Sequence, residues 1–142
     1  MPRILITDDS QLNAELLEAH LEGTGFDTKI VSNGEETLAA ARDWKPDVIL
    51  LDVMMPKLSG FEVCRRLRAD PATKGVSVLM VTALDQATDV ETAVDAGTDD
   101  FITKPINKTE LRLRIEAMLD SRNVLTDADR ALSYIRRVQQ GV

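Results

Sequence analysis

Short apolar runs recur along the chain at 4–6, 28–31, 48–51, 76–81 and 100–102, each followed by a longer stretch with helical spacing. The third run, Val48-Ile49-Leu50-Leu51, and the fourth are almost unbroken by polar residues. A strand that is apolar at nearly every position has both faces covered, as in a parallel sheet between two layers of helices. The stretches between carry helix starts. Asn33, Ser59 and Asn107 each stand three residues before a glutamate, namely Glu36, Glu62 and Glu110. The cap oxygen can accept an orphan amide hydrogen bond there while the glutamate reaches back. Gly23, Lys45-Pro46, Asp70-Pro71 and Gly97 supply the stops. Five such alternations predict an α/β fold, (βα)5, with a parallel sheet, right-handed crossovers and helices on both faces.

After about Arg122 the pattern changes. Thr126-Asp127-Ala128-Asp129 reads as a new helix start, and Ala128, Ala131, Leu132, Ile135 and Val138 fall at helical spacing. Arg136 and Arg137 suit the end of that helix. One domain over 1–122 and a tail helix or linker over 123–142 are expected.

Composition narrows the function classes. Of 142 residues, 44% are hydrophobic but only 4% aromatic, so the core must be aliphatic. The 24 acidic and 17 basic residues leave a formal charge of −7, which argues against direct nucleic-acid contact through a basic face. The single cysteine, Cys64, excludes an internal disulfide and is expected to be a small buried residue. No apolar run approaches the ~20 residues of a membrane helix, and the start lacks a secretory apolar region. No membrane partner and a cytoplasmic setting are expected.

The polar residues then fall into place. Asp8 and Asp9 follow strand 1, Asp52 follows strand 3, Thr82 follows strand 4 and Lys104 follows strand 5. Each lies at the carboxyl end of its strand, where open α/β sheets bind ligands. With a strand order of 2-1-3-4-5, strands 1 and 3 are neighbours and the three carboxylates converge. Two like charges ~4 Å apart repel by about 4 kcal/mol at an effective dielectric near 20. Such a group must take up a proton, a cationic side chain or a metal. Carboxylates with water fit Mg²⁺, which commonly shares its shell with phosphate oxygens. An Asp pair after a strand is, taken alone, ordinarily a turn or a cap. Joined by Lys104 and the Thr82 hydroxyl, it has the parts needed to hold a transferring phosphoryl group.

Asp8-Asp9, Asp52-Val53-Met54-Met55-Pro56 with Gly60, Val81-Thr82-Ala83 and Lys104-Pro105 resemble, in order and context, the signature of response regulator receiver domains. The resemblance covers about residues 3–121. It implies a flavodoxin-like doubly wound fold, strand order 2-1-3-4-5, here with an extra C-terminal helix. It implies a phosphoacceptor switch rather than a turnover enzyme. Asp52 would accept a phosphoryl group from a histidine kinase or a histidine phosphotransfer protein. Asp9, Asp52 and the backbone carbonyl of Met54 would bind Mg²⁺ (Mn²⁺ substituting), with Asp8 acting through water. Lys104 and Thr82 would hold phosphate oxygens, and the Lys104-Pro105 bond would be cis. Thr82 and Phe101 would form the switch, and Met54 and Leu84 would set the lifetime of the phosphoryl group.

Helix 1 near Leu12-Asn13 and the Pro105-Ile106 loop would meet the phosphodonor protein. The surface around Phe101 would meet an output domain, a target protein or a second copy in a phosphorylation-dependent homodimer. The segment from Gly60 to Pro71 resembles receivers attached to diguanylate cyclases and hybrid kinases. Three other readings compete. A haloacid-dehalogenase-like phosphatase wants a second Asp two after the nucleophile, where this chain has Met54. A flavin mononucleotide carrier wants a phosphate-binding loop after strand 1, where this chain has two carboxylates. A receiver-like module that binds partners without phosphorylation is the third alternative.

Overall fold

The computed structural model describes residues 1–84 and 86–121, together with Ile135 and Val138. Five strands alternate with five helices. They are β1 (Arg3–Thr7), α1 (Gln11–His20), β2 (Asp27–Val31), α2 (Gly34–Asp43), β3 (Val48–Asp52), α3 (Gly60–Ala69), β4 (Ser77–Thr82), α4 (Ala87–Ala96), β5 (Asp100–Thr103) and α5 (Lys108–Ser121). All pairings are parallel and the sheet order is β2-β1-β3-β4-β5. The expected α/β doubly wound fold is the observed one. Strand ends differ by a residue from the sequence reading, so that Asp52 and Thr82 are the last residues of their strands.

The core explains the apolar runs. Successive residues of a strand point to opposite faces, and here they feed two separate clusters. Leu5, Ile49, Leu51, Val78 and Met80 pack under α2, α3 and α4 with Val63, Cys64 and Leu67. Ile4, Ile6, Val48, Leu50, Leu79 and Val81 pack under α1 and α5 with Leu17, Leu111, Ile115 and Met118. Every residue of β3 and β4 is buried. The edge strand β2 alternates instead, with only Val31 fully buried.

The caps follow the sequence reading in one direction only. Asn33, Ser59 and Asn107 accept from the amides of Glu36, Glu62 and Glu110. The glutamates do other work. Glu36 accepts from the Ser32 amide and hydroxyl, Glu62 pairs with Arg65 and Arg66, and Glu110 pairs with Arg114. At Glu62 and Glu110 the guanidinium groups offer the carboxylate stronger, charge-assisted hydrogen bonds than a neutral amide does. A reciprocal capping box does occur at α4, where Asp89 accepts from the Gln86 amide. Gly97, at φ 96°, closes that helix in the left-handed conformation. The tail expected over 123–142 lies outside the described residues, apart from helical backbone at Ile135 and Val138. Among the described residues no helix is long and apolar enough to cross a membrane.

Candidate phosphoacceptor site

Because β1, β3, β4 and β5 are parallel neighbours, their carboxyl ends form one rim of the sheet. Asp8 and Asp9 leave β1, Asp52 ends β3, Thr82 ends β4, and Lys104 follows β5. The three aspartates each offer a carboxylate oxygen within 4.8 Å of the others. Asp8 and Asp52 are buried, whereas Asp9 is exposed. Lys104 Nζ reaches over from the other side, 3.3 Å from Asp8 Oδ2 and 4.0 Å from Asp52 Oδ1.

Each side chain is held by its own strand end. The Ser10 amide donates to Asp8 Oδ1 and the Met54 amide donates to Asp52 Oδ1. The Lys104 amide donates to the Thr82 carbonyl at 2.7 Å, tying the end of β5 to β4. The Lys104-Pro105 peptide is cis, as the family resemblance implied. Gly60 fixes the loop after Asp52. Its amide donates to the Val53 carbonyl, and a Cβ there would stand 2.3 Å from the Asp52 carbonyl oxygen. Only glycine allows α3 to start that close to the end of β3.

The electrostatics are unbalanced. Three carboxylates and one ammonium, if all are charged, sum to −3 + 1 = −2. Burial, then the neighbouring Asp8 carboxylate, pushes the Asp52 carboxyl up to about 6. Lys104 and the Met54 amide pull the other way, without matching that push. A divalent cation has the charge this cluster lacks. A Mg²⁺ ion ~2.1 Å from each ligand keeps even opposite oxygens only about 4.2 Å apart. The carboxylate spacing therefore suits such an ion after small side-chain adjustment.

The remaining sequence candidates are arranged around this centre. Thr82 is fully buried and its Oγ1 accepts from the Leu84 amide at 3.2 Å. Leu84 and Phe101 are partly buried against the cluster beneath α2, α3 and α4. Met54 stands 61% exposed beside Asp52. A groove of about 300 Å³ opens next to Lys104, lined by Asn13, Leu16, His20, Pro105 and Ile106 among others. The sequence reading named Gly60 without its role. The role lies in a close backbone approach between two elements, which no local pattern encodes.

The arrangement is that of a known family. The profile of the response regulator receiver domain matches residues 4–116. The chain is 44% identical over 117 residues to the DNA-binding response regulator MtrA of Mycolicibacterium paratuberculosis, covering 82% of this chain and 51% of that protein. It thus spans about half the length of that relative. Among solved structures, it superposes on the signal receiver domain of a Syntrophus aciditrophicus histidine kinase with a TM-score of 0.81. Sequence identity there is 35%, over 89% of this chain and 96% of that one. A sensor histidine kinase receiver domain from Pseudomonas aeruginosa, described with magnesium coordinated in its active-site cleft, gives 0.78 at 28% identity, covering 84% and 98%. The chain belongs to the response regulator receiver domain family. It is a receiver domain of two-component signalling, and the phosphatase and flavin readings are not favoured.

Proposed function

We propose that Asp52 is the phosphoacceptor and that Asp8, Asp9, Lys104 and Thr82 serve the transfer. The observation that carries this reading is the set of three carboxylates within 4.8 Å, faced by Lys104 Nζ, at the ends of strands β1, β3 and β5. An Asp52 carboxylate oxygen attacks the phosphorus of the donor. A new O–P bond forms as the bond from phosphorus to the donor nitrogen or oxygen breaks, and the donor leaves with that electron pair. Lys104 and the Thr82 hydroxyl hold the incoming phosphoryl oxygens, Thr82 giving up its contact with the Leu84 amide.

Asp9, Asp52 and the Met54 carbonyl hold Mg²⁺, with Asp8 contributing through water. When bound, the ion neutralises the carboxylates and screens the phosphoryl charge. Movement of Thr82 toward the phosphoryl group opens space into which Phe101 turns, and the surface of α4, β5 and α5 changes with it. The donor is a histidine kinase or histidine phosphotransfer protein. It docks along the groove between α1 and the Pro105-Ile106 loop, beside the exposed Leu12 and Leu16. The altered surface around Phe101 addresses an output domain, a target protein or a second copy. The receiver proper occupies residues 1–122.

Incubation with Mg²⁺ and acetyl phosphate is expected to add one phosphoryl group, detected as a single mass increment. Asp52→Asn abolishes that increment. Undiminished uptake in the variant would assign the chemistry to another residue.

A further inference from the structure

Two buried hydroxyls outside the carboxylate cluster face each other. Thr7, the last residue of β1, and Thr37, near the start of α2, are 1% and 0% exposed. Their Oγ1 atoms lie 2.9 Å apart. Thr37 Oγ1 also donates to the Asn33 carbonyl at 2.8 Å, one turn back in the same helix. A hydroxyl carries a single hydrogen, so Thr7 is the donor within the pair. The bonds therefore run from Thr7 through Thr37 to Asn33, the residue that caps α2.

Stability does not account for this pair. Exchanging both partners of a buried hydrogen bond for apolar groups of the same shape is nearly neutral. The rest of β1 after Arg3 is aliphatic. What the bond adds over a methyl contact is direction, and Thr7 stands where direction matters. It is the last residue of β1 to pair with either neighbour, opposite Val31 on β2 and Leu51 on β3. The next two residues are Asp8 and Asp9, two of the three clustered carboxylates. The start of α2 also reaches the other side of the rim. Gly34 sits so close to the loop after Asp52 that a Cβ on it would stand 2.8 Å from Leu58 Cδ2. That loop carries Met54, whose carbonyl is a proposed ligand.

We infer that the start of α2 braces the metal-binding rim, and that Thr37 is a positioning residue acting through Thr7 on Asp8 and Asp9. The hydroxyl pair fixes where the chain leaves the sheet, and so where two carboxylates stand when Mg²⁺ binds. This role rests on the proposed Mg²⁺ site and is independent of which aspartate accepts the phosphoryl group.

The test is Mg²⁺ titration of the full chain without phosphodonor, followed by the amide NMR shifts of Asp8, Asp9 and Asp52. Thr37→Val keeps the shape and removes the hydroxyl, and should weaken binding about tenfold, the low end for a group that orients metal ligands. Thr37→Ser keeps the hydroxyl and should bind like the parent. Thr7→Val with Thr37→Val leaves no hydroxyl unpaired, so its Tm should return toward the parent's while its Mg²⁺ affinity stays low. Parent-like affinity in either valine variant would overturn the proposal, the pair then being structural only. So would Thr37→Ser binding as weakly as Thr37→Val. A parent that binds no Mg²⁺ would overturn the metal site itself, and this role with it.

Discussion

Asp52 carries a charge that its surroundings do not balance. Its neighbours Asp8 and Asp9 repel it, and Lys104 Nζ lies nearer to Asp8 than to Asp52. A carboxyl whose burial and neighbours push its pKa up destabilises the fold when it is charged, and a neutral isostere removes that cost. In the metal-free protein at neutral pH, Asp52→Asn is therefore expected to raise stability by roughly 1–3 kcal/mol. Millimolar Mg²⁺ should raise the Tm of the parent by mass action, and of the variant much less. Thermal melts in chelator and in Mg²⁺ give both comparisons. A variant less stable than the parent in chelator would mean that the site is already balanced. Hydrolysis of the phosphorylated state tests two more residues. If Asp52 carries the phosphoryl group as proposed, water must approach in line with the Asp52–phosphorus bond, and the resemblance to receivers implies that Met54 and Leu84 flank that approach. Neither side chain can orient a water, and positioning dominates such displacements. Met54→Asn with Leu84→Glu is expected to speed loss of the phosphoryl group by ~10–100-fold, measured as decay of purified phosphoprotein. A rate no faster than the parent's removes that account.

At the scale of elements, the site depends on how closely α3 begins beside β3. A Cβ on Gly60 would meet backbone atoms of Asp52 and Val53, at 2.3 and 2.8 Å, which cannot rotate away. A Cβ on Gly34 would meet side-chain atoms only, Val63 Cγ2 at 2.7 Å and Leu58 Cδ2 and Cβ at 2.8 and 3.0 Å, which have more room to shift than backbone. Gly60→Ala is thus expected to cost about 1–3 kcal/mol or more and to slow phosphorylation, with Gly34→Ala the milder change. Denaturant melts and phosphorylation rates of the two variants check the order, and equal costs would contradict it. This contrast also marks where sequence reading stops. Strands β3 and β4 were legible because both faces are buried, and α2, α3 and α5 were legible from Asn33, Ser59 and Asn107. The start of α4 was not, since glutamine is a poor capping residue and the box made with Asp89 appears only once the helix forms. Contacts between distant elements were equally hidden. Arg68 joins the end of α3 to the Gly97 and Val76 carbonyls and to Asp99. Arg112 of α5 covers the carbonyl of His20, the last residue of α1, and that of Glu22 beyond it. The site residues were legible because strand ends in a parallel sheet share one rim, so strand order alone brings Asp8, Asp52 and Lys104 together.

Across the whole molecule, Cys64 reports on cooperative opening. It is fully buried among the side chains that join the sheet to α2, α3 and α4, so nothing short of parting those layers exposes its sulfur. Burial pushes its thiol up from 9.0 to about 11, outweighing the lowering pull of Arg68. Between those values the folded protein keeps the proton and the unfolded chain releases it. The folded state then binds more protons, and stability falls as pH rises through that window, having been flat with respect to this group below about 9. The loss approaches roughly 1.4 kcal/mol per pH unit. Other groups of a protein ionise in that range as well, so the measurement is a difference. Cys64→Ala costs a fixed amount for its cavity at every pH, but its own stability lacks the thiol's slope. The gap between parent and variant in denaturant melts is expected to be constant up to about pH 9 and to narrow from there toward pH 11. At neutral pH, alkylation of Cys64 should track global unfolding across denaturant concentrations. A gap that stays constant to pH 11, or rapid alkylation in native buffer, would show that the layer beneath α3 opens on its own.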